Sequence, residues 1–467
     1  MPAAERPSIC QVWPLPYQAD PGPRFAMIAG QPDAILLDSG QPVAKRGRFD
    51  LFSAWPLATF EPGTDETGQQ FLQRLRQSLR QLGPADSPPG LDLPFTGGLI
   101  GFLGYPFGQR LEPGLPGLAR NGWLPDARLG LYGWALITDH QQLSSQLVFH
   151  PALADSERQR LIRLFSSPQG TRPAAPGFHL LTPFAADQTP ETYQAAIERI
   201  QAYIRAGDCY QVNYTQRFRA CYEGDSWQAF TLLRQACPTP FAGYLHTPAG
   251  TLLSLSPERF LRLHQGRVET RPIKGTRPRH ADPETDLALA DALRHSSKDR
   301  AENLMIVDLL RNDLGRCCQT GTVRVPELFA LESYPNVHHL VSSVQGQLTE
   351  GLDALDLLAG SFPGGSITGA PKIRAMQIIR ELEPASREMY CGSLLYLDVR
   401  GEMDSSIAIR TLLLHEGQIS CWGGGGIVMD SMWPDEYQES ITKVRILMQT
   451  LEQTLSGAGQ ACPPPES

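Results

Sequence analysis

The stretch "AGYLHTPAGTLLSLSPERFLRLHQGRVETRPIKGT", residues 242–276, decides the fold. It contains AGYLHT (242–247), TLLSLS (251–256), RFLRLHQG (259–266) and RVETRPI (267–273), separated by Pro- or Gly-bearing breaks of a few residues at most. Parallel neighbours need crossovers of about a dozen residues or more, so consecutive strands this close pair antiparallel. Outward from this core lie CYQVNYTQRF (209–218) on one side and GSLLYLDVR (392–400), MDSSIAIRTLLL (403–414) and QISCW (418–422) on the other. Helices are expected near 297–312, 351–359, 371–382 and 435–455. Another begins at the cap Thr189, has Pro190 in its first position and an inner stripe of Tyr193, Ile197, Ile200 and Ile204, and ends at Gly207. Runs of strands mixed with runs of helices give an α+β protein rather than alternating βαβ units.

Toward the N-terminus the pattern is short strands and turns, such as AILLDSG (34–40) and GLYGWALITD (130–139), with a helix near 66–82. The Pro-, Gly- and Ser-rich SSPQGTRPAAPG (166–177) reads as a linker. The expected organisation is an N-terminal region over 1–165, a linker over 166–184, a catalytic domain over 185–455 and a disordered tail over 456–467. The 467 residues carry a net charge of -8, which argues against nucleic acid as a main partner. No run of 18 apolar residues offers a membrane span, and the N-terminus lacks a signal-peptide pattern. The nine cysteines have neither zinc-site nor disulfide-framework spacing, and the expected compartment is the cytoplasm.

Among 41 basic residues only five are lysine: Lys45, Lys274, Lys298, Lys372 and Lys443. Lys274 stands between Ile273 and Gly275. Unlike a guanidinium, a partly desolvated ammonium can lose its proton and become a nucleophile; the competing reading is a plain surface charge. In SSKDRAENLMIVDLLRNDLGR (296–316), Ser296 and Asp299 form a capping pattern, and Glu302 falls on the apolar stripe of the helix that follows. In PDEYQESITKVRILMQTL (434–451), Glu436, Glu439 and Lys443 form a stripe of their own. Each carboxylate has a bland alternative, an i,i+4 pair with a lysine on its own helix. If Glu302 and Glu439 face one cleft, two carboxylates with waters and a substrate carboxylate suit Mg²⁺.

FPGGSITGAPK (362–372) lacks the P-loop spacing, but a glycine turn running into a helix, with Lys372 beside it, can accept an anion. CWGGGGIVMDS (421–431) offers a second close backbone approach. Arg410 suits a carboxylate, and Glu258, at a break between strands, suits a general acid.

As a set, PIKGT, KDRAENLMIVDLLRND, FPGGSITGAPK, YCGSLLYLD, IAIRT and the GGGIV…EY.E…K pattern resemble the chorismate-utilising enzymes, strongly over about 190–450. The resemblance implies large antiparallel β-sheets packed face to face as a sandwich with helices outside. Lys274 stands where anthranilate synthases carry Ala, and so resembles the aminodeoxychorismate synthase branch. That implies conversion of chorismate and ammonia to 4-amino-4-deoxychorismate, on the way to p-aminobenzoate and folate. Lys274 is then the covalent nucleophile, Glu258 the acid, and Glu302 and Glu439 the Mg²⁺ ligands. His339, Ser366, Thr368, Gly369, Gly392, Arg410, Gly425 and Lys443 are the implied substrate contacts. Isochorismate-forming relatives carry a water-activating Lys at the position of Gln211. The chain has no G-x-C-x-G nucleophile turn of its own, which implies a separate glutamine amidotransferase subunit as ammonia donor. A tryptophan pocket is implied at Ser39, Arg46, Gly47, Arg48, Phe49, Pro240, Phe241 and Ala242, although Arg46 and Ala242 depart from the usual Tyr and Ser. Two alternatives stay open: an anthranilate synthase, and a tryptophan-binding sensor on the same scaffold.

Overall fold

The computed structural model describes residues 8–41, 47–112, 115, 122–166, 176–334 and 337–455. Two antiparallel sheets, of 13 and 10 strands, carry the architecture. Alternation along the strands shows how they stack. Ile35, Leu51, Leu245, Leu252 and Leu413 point from the larger sheet into a core shared with Leu99, Leu129 and Leu395 of the smaller one. Their neighbours Leu36, Phe52, Tyr244, Leu253 and Leu412 point the other way, into a second core. That core is closed by the helices Asp155–Ser166, Ser226–Ala236 and Arg445–Glu452. Period-two alternation with apolar residues on both faces is what a sheet covered on both sides requires.

The quoted stretch forms Phe241–Thr247, Gly250–Ser256, Arg259–His264, Arg267–Thr270 and Ile273–Pro278. The first two belong to the larger sheet and the rest to the smaller, so the chain changes sheet at Pro257–Glu258. MDSSIAIRTLLL is two strands rather than the single one expected. Met403–Ile407 lies in the smaller sheet and Thr411–His415 in the larger. Arg410, at φ 51°, sits at the turn between them. The two crossings run side by side: Leu255 N–H donates to the Arg410 carbonyl at 2.9 Å and Ile407 N–H to that of Glu258 at 3.1 Å. Sandwich corners are made by strands that switch sheets, and here both corners carry a predicted site residue.

Apart from a two-residue parallel pair, Ser8–Ile9 with Ala85–Asp86, the strands of 1–165 join the two large sheets. Ala34–Asp38 pairs with Phe241–Thr247, and Gly98–Leu103 pairs with Ser393–Asp398. The expected boundary is therefore crossed by both sheets. Part of the linker (167–175) and the tail from 456 lie outside the described residues.

Helices Gly68–Leu82, Pro190–Arg205 and Ser297–Gly315 stand as expected, the last capped by Ser296, whose Oγ accepts from the Asp299 N–H at 3.2 Å. The helix expected over 435–455 is two, Trp433–Thr442 and Arg445–Glu452. The break has a packing cause. Glu436 and Ser440 are buried on the first, which lies on the glycine run, whereas Val444, Leu447, Met448 and Leu451 enter the outer core. Helices Ser226–Ala236 and Pro283–His295 were not expected. Cys10, Cys209, Cys237, Cys317, Cys318, Cys391 and Cys421 are free and buried; Cys221 is disulfide-bonded, an exception to the reduced set expected. No helix among the described residues is long and apolar enough to cross a membrane.

Candidate active site

Lys274 leaves the strand Ile273–Pro278 beside a register shift at Gly275, whose φ is 78°. A Cβ there would meet Leu293 at 2.8 Å and Asp299 at 2.9 Å, so the helix carrying Glu302 approaches the strand as glycine alone permits. Lys274 is half-buried. Burial lowers its pKa and the neighbouring Lys443 lowers it further, against the pull of Glu258, Glu302 and Glu439. Desolvation disfavours the charged form, which is what a nucleophilic lysine needs.

Glu258 faces it from the sheet-switching corner and is 5% exposed. Burial raises its carboxyl to about 7, although Lys274 and the hydroxyl of Ser366, which donates to Glu258 Oε1 at 3.3 Å, work in the opposite sense. A carboxyl that keeps its proton near neutrality can act as an acid. Ser366 reaches it from the turn Gly365–Ile367 within FPGGSITGAPK.

Opposite lie the carboxylates. Glu302 is raised by burial and also senses Lys274, Lys298 and Glu439. Burial acts on Glu439 in the same direction, but Lys443, at 2.6 Å, leaves it lowered overall. The bland readings are present too: Lys298 lies 3.9 Å from Glu302, and Lys443 pairs with Glu439. Both acids nevertheless share one electrostatic neighbourhood with Lys274. Gly425 forms the floor, where a Cβ would stand 3.1 Å from Glu436 Oε2, 3.3 Å from Glu439 Oε1 and 3.6 Å from Lys443 Nζ. Glu436 is the residue that sequence reasoning missed. It is 6% exposed, accepts from Ser431 Oγ at 2.7 Å, and is raised by burial. Its place three residues before Glu439, on the same stripe, was the available signal.

His339 is buried and bonded to Thr276 Oγ1 at 2.9 Å. Burial, then Arg410, hold its imidazole down at about 3, so it stays neutral and joins Arg410 to this side of the cleft. Gln211 is buried, and its Nε2 has no hydrogen-bond partner among the described residues. It would stand 2.7 Å from a Cβ at Gly426. Three predicted contacts touch the protein's own backbone. Thr368 Oγ1 donates to the Gly364 carbonyl at 3.1 Å. A Cβ at Gly369 would meet the Gln211 carbonyl at 2.2 Å, and one at Gly392 that of Leu103 at 2.3 Å. Lys372 serves no anion site: its Nζ donates to Asp313 Oδ2 at 2.9 Å and to the Ser361 carbonyl at 3.0 Å.

Seven residues of the predicted tryptophan pocket meet elsewhere. Ser39, Gly47, Arg48, Phe49, Pro240, Phe241 and Ala242 line one cavity of about 990 Å³; Arg46 lies outside the described residues. Ser39 Oγ donates to Asp50 Oδ1 at 2.7 Å, and Asp50 Oδ2 lies 2.7 Å from His140 Nε2.

A family model described as chorismate binding enzyme matches residues 33–449. The chain belongs to the chorismate-binding enzyme family. Among members of that family, the aminodeoxychorismate synthase component 1 of Salmonella typhimurium is 46% identical, the match covering 94% of this chain and 97% of that one. The anthranilate synthase component 1 of Pseudomonas putida is 36% identical, covering 91% and 92%. The crystal structure of anthranilate synthase component I from Streptococcus pneumoniae superposes with a TM-score of 0.74 at 30% identity, covering 86% of this chain and 92% of that one. The sandwich expected from the motifs is therefore that of the chorismate-binding enzyme family, and the chain is an enzyme.

Proposed function

We propose that this enzyme makes 4-amino-4-deoxychorismate from chorismate and ammonia. The observation that carries the reading is the half-buried amine of Lys274, its pKa lowered by desolvation, beside the protonatable Glu258. The name of the Salmonella relative agrees with it. Lys274 forms a bond to ring carbon 2; both ring double bonds shift by one position and the C–O bond at carbon 4 breaks. Glu258 supplies the proton with which that hydroxyl leaves as water. Ammonia then bonds to carbon 4, both double bonds return, and the Lys274 amine is released. Splitting one difficult substitution in two is what covalent catalysis offers. Gln211, an amide, cannot serve as a base toward water, which favours ammonia as the incoming nucleophile.

Among the described residues no group of three or more His, Cys, Asp or Glu forms a ready metal cluster. Mg²⁺ does not require one, being bound by one or two carboxylates with waters and substrate. Glu302 and Glu439 are hard oxygen donors of that kind, with Glu436 beside them. Bound there, the ion would neutralise the ring carboxylate of the substrate. Ammonia is proposed to come from a glutamine amidotransferase subunit, in keeping with relatives named component 1. The 990 Å³ cavity is proposed to hold L-tryptophan as a structural ligand, and the enzyme to serve folate synthesis in the cytoplasm.

The test is incubation with chorismate, Mg²⁺ and ammonium, with mass spectrometry of the trapped protein. An adduct on the PIKGT peptide and 4-amino-4-deoxychorismate as product are expected. Fluorescent anthranilate with pyruvate release would instead establish the anthranilate reading.

A further inference from the structure

Behind the active site lies a buried ion pair with no part in the chemistry above. Arg387 and Glu383 have side chains 1% and 5% exposed, and the guanidinium grips the carboxylate at both ends, Nε to Oε2 at 2.9 Å and Nη2 to Oε1 at 2.7 Å. Its further hydrogen bonds go mainly to main chain, with a longer one from Nη2 to Asn213 Oδ1 at 3.4 Å. Nη1 donates to the Ile367 carbonyl at 2.9 Å and Nη2 to the Asn213 carbonyl at 2.8 Å. The other end of the pair does the same: Glu383 Oε1 accepts from Thr215 N–H at 2.9 Å and Thr215 Oγ1 at 3.0 Å. The guanidinium stacks over the Tyr105 ring at 4.6 Å.

Burying such a pair is costly, and a well-packed apolar replacement is often as stable or more so, so stability alone is a weak reason for it. What it touches supplies a better one. Ile367 follows Ser366, the donor to Glu258. Asn213 and Thr215 lie on the strand that begins with Gln211 and runs beside the glycine floor, Tyr214 opposite Gly425. Arg387 itself precedes by five residues the close-packed Gly392. A planar fork with five donors can fix several acceptors at once, which a lysine cannot.

We infer that the Arg387–Glu383 pair is a positioning device for catalysis: it clamps the Ser366 turn to the floor strand and so aims the Ser366 hydroxyl at Glu258. Arg387 touches no reacting atom; it acts through Ser366. The inference uses the proposed reaction only as a readout.

The experiment is a double-mutant cycle on the full chain, following chorismate consumption so that product identity does not matter. Arg387→Lys is expected to lower kcat by about 100-fold, the scale of a misplacement near 1 Å, while the protein stays folded by circular dichroism. In a Ser366→Ala background the same change is expected to cost at most about threefold, because interacting residues are not additive. Equal losses in both backgrounds would overturn the proposal, as would full activity in Arg387→Lys with only a lowered Tm. Should Arg387→Lys not fold, Glu383→Gln replaces it in the cycle. It keeps the guanidinium and frees it to drift, and additive behaviour there counts equally against the clamp. Failure of the proposed reaction would show separately, as a different product from unmutated protein.

Discussion

The candidate catalytic residues and the 990 Å³ cavity lie on opposite sides of the same segments. Ile273 and Pro257 line the cavity, while the next residues, Lys274 and Glu258, line the cleft. Adjacent side chains, one pair on a strand and one at the sheet-switching corner, thus face opposite ways. Their electrostatics differ. Around the cavity Arg48 pairs with Asp139 at 2.8 Å, Asp38, its carboxyl raised by burial to about 6, pairs with Arg234, and Asp50 bonds to Ser39 and His140. In the cleft, burial holds Lys274 below its ordinary range and Glu258 above it, and Gln211 Nε2 goes unpartnered among the described residues.

Substitutions that abolish or sharpen this contrast should fall in a definite order. Lys274→Ala is expected to have the largest effect, a near-complete loss of aminodeoxychorismate formation in a folded protein, partly relieved at high ammonium; unchanged turnover would remove the nucleophile. Glu258→Gln follows, with kcat lowered about 10²–10⁴-fold, the usual range for a general acid. Its pH profile supplies the sign. An acid raised to about 7 is protonated below that value, so activity in the unmutated enzyme should decline as pH rises through about 7, and the variant should lose that limb. Glu302→Gln and Glu436→Gln are expected to act next, raising the Mg²⁺ concentration needed for half-maximal activity and weakening Mg²⁺ binding in calorimetry about tenfold, the lower end of effects seen at metal sites. Ser39→Ala should matter least for turnover. It is expected to weaken L-tryptophan binding, read by equilibrium dialysis, while chorismate consumption is unchanged. A matching loss of turnover would mean that the two chambers are coupled.

Much of this was legible in the sequence where local chemistry decides. Thr189 and Ser296 cap their helices as read, because capping depends on residues within one turn. Strand pairing from 242 onward followed from loop length. What escaped reading was set by distant partners. The break at Lys443–Val444 depends on which core each half of the helix meets. Lys372 looked like an anion ligand until Asp313, 59 residues away, claimed it. Glu436 was visible on the Glu439 stripe, but only the fold shows that both look down on Gly425. The division of IAIRT between two sheets could not be read from periodicity, since both pieces alternate alike.

The pairing of Ala34–Asp38 with Phe241–Thr247, and of Gly98–Leu103 with Ser393–Asp398, bears on how the molecule can be cut. A polypeptide starting at 185 would expose a raw border on each of its two sheets, with unpaired amides inviting promiscuous association. The segments on either side of 166–184 share both sheets, so neither keeps its strand partners without the other.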